Sequence, residues 1–149
     1  MIKSKLYVAG PLFSEAEKRF NKQLKNELSA HFDVYLPQED GLLVEDMVKN
    51  GVPFLLASQK VFYTDINAIN KCDILLIILD GRTVDEGAAM ELGVAFSKGK
   101  TCIGYSTDPR TLLPNGQNPM ISCCLATTVH SVNELLEFFN LNRKLKAIC

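Results

Sequence analysis

Residues 73–80 read DILLIILD, an unbroken aliphatic run closed at each end by an aspartate. Such a run, with no polar residue alternating into it, describes a strand buried on both faces, and strands of that kind belong to parallel sheets. A parallel neighbour cannot be reached by a tight hairpin. A chain built around this strand must therefore supply further strands separated by helices, which then cover both faces of the sheet.

The rest of the chain has that order. Strands are expected at 5–9, 33–36, 73–79, 101–105 and 126–129, with helices from Ser14, over 53–71, over 85–98 and over 131–139. Ser14 and Glu17 have capping-box spacing, and Phe20, Leu24 and Leu28 give the helix behind them an apolar stripe. In 53–71 the apolar positions Leu56, Val61, Phe62, Ile66 and Ile69 follow a helical period, with Asp65 toward its C-terminal part. Gly10 with Pro11 ends the first strand and Pro37 the second. The segment 41–51 reads as a helical piece plus a loop, and 106–117 as a loop rich in Pro and Gly. The pattern predicts an α/β fold, a flavodoxin- or Rossmann-like three-layer sandwich with a mainly parallel five-stranded sheet. A length of 149 residues suits one domain over 1–149.

In open sheets of this type, ligands bind beyond the carboxyl ends of the strands. Those ends open here onto 10–13, 37–41, 80–85 and 106–120. Sixteen basic residues against seventeen acidic ones leave a net charge of −1, which offers no electrostatic footprint for nucleic acid or an anionic membrane. No apolar run is long enough to span a bilayer, and 1–9 lacks the apolar core of a signal peptide, so a cytoplasmic protein with a small-molecule partner is expected. The five cysteines, Cys72, Cys102, Cys123, Cys124 and Cys149, are odd in number and show no CxxC spacing, and only His31 and His130 are present. Neither a disulfide framework nor a metal site is expected from them.

The loop 80–85 leads into DEGAAMELGVAF (85–96), where Glu91 sits among residues that are otherwise small or apolar. A buried carboxylate costs several kcal/mol unless partners satisfy it, so this acid requires an explanation. A structural hydrogen bond, for instance to Tyr7, would be one; a partly solvated helix face would be another. Asp85 is explained as an N-cap alone. The two acids nevertheless lie within about 120° of each other around the helix axis, close enough to face one cleft. Gly87, Ala88 and Ala89 would let a ligand approach that face. Paired acids suit glycosyl chemistry, in which one carboxylate stabilises or captures a cationic sugar carbon and another group protonates the leaving atom. No serine elbow, P-loop or HExxH competes, and the single glycine at 10 is not a dinucleotide fingerprint.

Together, YVAGPLF (7–13), TDINAINKCDILLIILD (64–80), GRTVDEGAAMELGVAFSKGK (81–100) and NPM (118–120) resemble the nucleoside 2-deoxyribosyltransferase family, in the right order over nearly the whole chain. A sister group of deoxynucleotide N-glycosidases shares much of the central piece. The resemblance implies that Glu91 is the nucleophile, attacking C1′ of a 2′-deoxynucleoside to form a covalent ester that a second nucleobase displaces. It implies that Tyr7 positions Glu91, that Asp65 contacts and protonates the leaving base, and that Asp85 binds near sugar and base. Phe13 and Gln38 match base-contacting positions, and Asn118 and Met120 match a pair that a neighbouring subunit inserts to hold the sugar 5′ end.

No metal or cofactor is implied, since a protonated base can leave while the carboxylate stabilises the sugar cation. A 2′-hydroxyl would withdraw electron density from the anomeric carbon and crowd the pocket, so deoxyribose should be preferred. Transfer must outcompete hydrolysis, which calls for a site closed to water and hence a homo-oligomer. The tail NRKLKAIC departs from relatives that end in an aromatic residue, and no contact is carried over for it. Arg82 is either solvated or in reach of a phosphate or base. Two other functions stay open: hydrolysis of a 2′-deoxynucleoside 5′-monophosphate through the same ester, and a non-catalytic nucleotide-binding module.

Overall fold

The computed structural model describes residues 3–110 and 117–148, and in it the aliphatic run forms the central strand. In chain order the elements are β1 (Lys5–Ala9), α1 (Glu15–Leu28), β2 (Asp33–Tyr35), α2 (Pro37–Asp40), α3 (Val44–Lys49), α4 (Phe54–Lys71), β3 (Ile74–Ile78), α5 (Glu86–Ser97), β4 (Thr101–Tyr105), α6 (Pro119–Ser122), β5 (Thr127–Val129) and α7 (Val132–Ile148). The sheet order is β2-β1-β3-β4-β5 and every neighbouring pair is parallel. The five-stranded parallel sandwich expected from the sequence is the fold observed. Of the 106–117 loop, residues 111–116 lie outside the described residues, as does Cys149.

Strand periodicity sorts the core into two layers. Leu6, Val8, Ile74, Leu76 and Ile78 point to one face, where Leu24 and Leu28 of α1 and Leu135 of α7 cover them. Tyr7, Ala9, Leu75 and Ile77 point to the other, under Ile69 of α4 and Ala88, Leu92 and Ala95 of α5. All five residues of β3 are buried. This sorting decides where chemistry can occur, because it places Tyr7 on the same face as the two helices that carry Asp65 and Glu91.

Helix ends follow local chemistry. The Ser14 hydroxyl accepts from Glu17 N at 3.2 Å, while Glu17 Oε2 accepts from Ser14 N at 2.7 Å and from Phe13 N at 3.1 Å. The capping box thus starts α1 and also ties down the loop leaving β1. Gly10 lies in that loop, and a Cβ there would sit 2.8 Å from Ile78 Cδ1, so only glycine lets the chain pass so close over β3.

Three elements differ from the sequence reading. Pro37 ends the strand as expected but also stands at the first turn of α2, where its fixed φ and missing N–H suit a helix start. Pro119 does the same for α6, with Asn118 as N-cap. Helix α7 runs past Phe139 to Ile148, since no Gly or Pro stands in 140–148 to stop it. Cys72 and Cys102 are buried, Cys124 is half-buried and Cys123 is exposed, all as free thiols. No helix among the described residues is long and apolar enough to cross a membrane.

Candidate active site

Helix α5 buries Ala88, Leu92 and Ala95, an i, i+4, i+7 stripe against the sheet. Glu91 lies one turn after Ala88 at the edge of that stripe, so its carboxylate enters the layer between helix and sheet. It meets Tyr7 there. The fully buried Tyr7 donates its hydroxyl proton to Glu91 Oε1 at 2.6 Å, a short, charge-assisted geometry. The bond links residues 84 positions apart in the chain.

Asp65 arrives from α4 by the same logic, one turn before the buried Ile69. Its Oδ1 is buried and makes no hydrogen bond. On β2, Tyr35 is the register partner of Tyr7, and the two rings stack at 5.3 Å with 17° between planes. Asp85 caps α5, its Oδ2 accepting from Ala88 N at 2.8 Å.

Burial is the largest influence on both inner acids. It pushes Glu91 up to about 7, the Tyr7 hydrogen bond pulling it down and the charges of Asp65 and Asp85 pushing it further up. Burial likewise raises Asp65 to about 6, with Tyr35 acting in the opposite direction. No lysine or arginine contributes to either shift. Two carboxyl groups whose pKa values burial brings toward neutrality, one of them held by a tyrosine, form a pair able to take part in acid–base and nucleophilic chemistry. Burial also drives the Tyr7 hydroxyl far above its ordinary range, so Tyr7 stays a donor.

The remaining expected residues stand apart from this centre. Phe13 is 76% exposed and Met120 79% exposed. Asn118 accepts from Met120 N at 2.9 Å as the cap of α6, and no hydrogen bond joins it to Tyr7, Asp65 or Glu91. Gln38 is occupied on both sides of its amide: Oε1 accepts from Asn21 Nδ2 at 2.9 Å and Nε2 donates to the Lys18 carbonyl at 2.9 Å. A groove of about 520 Å³ between β2 and α4 reaches Tyr35, Asp40 and Thr64 but is lined by neither Glu91 nor Asp65.

Two residues were missed by sequence reasoning. Asn21 is only 2% exposed and also donates to the Pro11 carbonyl at 2.8 Å, locking the loop after β1 to α2. Its signal was positional, since it lies three and seven residues before Leu24 and Leu28 on the buried stripe of α1. Asn21→Leu leaves the Pro11 carbonyl and the Gln38 amide oxygen without a donor. It should lower unfolding free energy by about 1–3 kcal/mol in urea titrations. The second is Asp80, whose carboxylate accepts from Thr107 N at 2.6 Å and Asp108 N at 2.8 Å and from the Thr107 hydroxyl. It fixes the loop after β4 against the end of β3.

The family model described as nucleoside 2-deoxyribosyltransferase matches residues 6–141. A conserved protein from Enterococcus faecalis V583 superposes with a TM-score of 0.74 at 29% identity, covering 91% of this chain and 96% of that one. A 2-deoxyribosyltransferase from Bacillus psychrosaccharolyticus also gives 0.74, at 25% identity, covering 89% and 90%. The CMP N-glycosidase BcmB of Clostridium botulinum shares the fold at 0.54 and 17% identity, covering 93% and 99%. A comparison with curated proteins finds no match.

Proposed function

The chain belongs to the nucleoside 2-deoxyribosyltransferase family, and from that premise we propose that it exchanges the nucleobase of a 2′-deoxynucleoside through a covalent ester on Glu91. The observation that carries this reading is the buried Tyr7–Glu91 hydrogen bond, which aims one carboxylate oxygen and leaves the other free to react.

In the first half-reaction a bond forms between a Glu91 oxygen and C1′ while the glycosidic C1′–N bond breaks. The electron pair goes to the base nitrogen, and Asp65 supplies its proton. In the second, the nitrogen of an incoming base attacks C1′, the ester C–O bond breaks, Glu91 returns as carboxylate, and Asp65 recovers a proton from the new base. These steps call on no metal or cofactor. In this reading Asp85 and Phe13 would contact the sugar and base. Gln38 serves through the Asn21 network that shapes the rim.

Glu91 is only half-buried in the single chain, so the remaining cover against water would come from elsewhere. Phe54, Leu55, Phe62 and Tyr63 on α4 and Met90 and Phe96 on α5 are exposed, which supports a homo-oligomer in which a neighbour's Asn118 and Met120 close the site. Substrates are 2′-deoxynucleosides and free nucleobases rather than nucleotides. The Thr107 and Asp108 amides, which would otherwise suit a phosphate, are filled by the Asp80 carboxylate, and Ser14 is spent on its own helix.

The test is to incubate the protein with deoxyadenosine and cytosine, and separately with deoxyadenosine 5′-monophosphate, and to separate the products. Deoxycytidine in the first mixture and an unchanged nucleotide in the second are expected. Deoxyribose 5-phosphate from the second mixture, with no deoxycytidine from the first, would assign a hydrolase instead.

A further inference from the structure

Among the described residues two buried polar side-chain atoms lack a hydrogen-bond partner, the hydroxyl of Tyr35 and Oδ1 of Asp65, and they belong to side chains that face each other. Each such atom costs about 1–3 kcal/mol when left unpaired, so two together call for a state in which they are satisfied. A Cβ at Gly41 would lie 3.0 Å from the Tyr35 hydroxyl and 2.7 Å from the Pro37 carbonyl, so the backbone closes over the hydroxyl from that side.

Tyr35 repeats the position of Tyr7 one strand over. The two are register partners and stack, and each presents its hydroxyl to an acid on a covering helix, Tyr7 to Glu91 on α5 and Tyr35 to Asp65 on α4. The first pair is already bonded at 2.6 Å; in the second the hydroxyl is near enough to Asp65 to favour its charged form, yet neither Tyr35 OH nor Asp65 Oδ1 has a partner at full hydrogen-bond geometry.

We infer that Tyr35 is a positioning residue for Asp65, turning its O–H onto the carboxylate when Asp65 has given its proton to the leaving base and releasing it when the proton returns. This rests on the reading of Asp65 as the acid. The neutral carboxyl needs no such donor, whereas the carboxylate formed during turnover is largely buried and has no cation beside it among the described residues. The charged or titratable groups facing this pair are Tyr7 on β1, Glu91 on α5 and Asp40 after β2, none of them positive. The direction is consistent: burial raises Asp65 to about 6 while Tyr35 lowers it, and burial and then the charge of Asp65 raise Tyr35 to about 12. A hydrogen bond to the charged form of strength ordinary for such pairs corresponds to about one pH unit.

The experiment compares single-turnover release of adenine from deoxyadenosine at pH 6 and pH 8 in the wild-type protein, Tyr35→Phe and Asp65→Asn. Carboxyl-carbon NMR titration of Asp65 accompanies it. In Tyr35→Phe the Asp65 midpoint should rise by about one pH unit, and the ratio of the pH 8 rate to the pH 6 rate should increase about five-fold, because the acid stays protonated further into the alkaline range. A uniform fall in rate with that ratio unchanged, while Asp65→Asn alters it, would overturn the role of Tyr35 and leave the acid in place. An unaltered ratio in Asp65→Asn would instead overturn the acid assignment itself. If Tyr35→Phe fails to fold, the wild-type protein decides: the Tyr35 ζ-carbon resonance should move with the Asp65 midpoint, and an independent course would refute the coupling.

Discussion

Glu91→Gln should abolish base exchange, by about 10³-fold or more in kcat, and at the same time make the protein more stable at pH 8. Both effects come from one side chain. The amide keeps the shape of the carboxyl and an oxygen that can accept from Tyr7, so the packing of α5 on the sheet survives. It cannot, however, form the ester. The stability gain follows from linkage. Glu91 titrates at about 7 in the folded chain, against an ordinary value of 4.5. The folded state therefore binds the proton more tightly than the unfolded one, and stability is lost as pH rises from about 4.5 through 7. That loss is on the order of 3 kcal/mol by pH 8. Glutamine does not titrate, so the variant should match the wild type near pH 4 and unfold about 5–10 °C above it at pH 8. Thermal unfolding at the two pH values reads this directly; a gap equal at both would mean that Glu91 is not ionised against its surroundings.

Tyr7→Phe should have the second-largest effect. Its hydroxyl is the one group that favours the ionised form of Glu91 against burial and against Asp65 and Asp85. Without it the Glu91 midpoint moves above 7 by about one to two pH units, the equivalent of one hydrogen bond to a charged group. At pH 7 the fraction of reactive carboxylate falls, and kcat with it, by about 5- to 50-fold. The pH optimum of exchange should move upward. That shift separates tuning from mere packing, because a variant that only loosened the core would lose rate at every pH and keep its optimum. Phenylalanine retains the stack on Tyr35 and the packing under α5, so the folded state should persist.

Much of this was legible in the chain, and the reason differs by residue. The run 74–79 announced its strand because burial on both faces permits only aliphatic side chains. Ser14 with Glu17 announced a helix start because both halves of the capping box are local. Glu91 could be suspected from its apolar neighbours alone, with Tyr7 already named as a candidate partner, and the two are hydrogen-bonded in the structure. Other features depend on pairs far apart in sequence. Tyr35 stands beside Tyr7 only because β2 pairs with β1 in that register, and no period within 33–36 records the fact. The Asn21–Gln38 bond joins α1 to α2, a helix the sequence reading did not place at Pro37. Gln38 accordingly read as a contact for the base, whereas its amide is spent on α1 in the single chain.

The central claim is a covalent bond at Glu91, and intact-protein mass spectrometry tests it most directly. Mixed with deoxyadenosine in the absence of an acceptor base and quenched in acid, the wild-type protein should gain the mass of one 2-deoxyribosyl group. Proteolysis should place that mass on the peptide containing Glu91, and Glu91→Gln should show none. Adenine release with no adduct at any quench time, or an adduct on a different residue, would contradict the account.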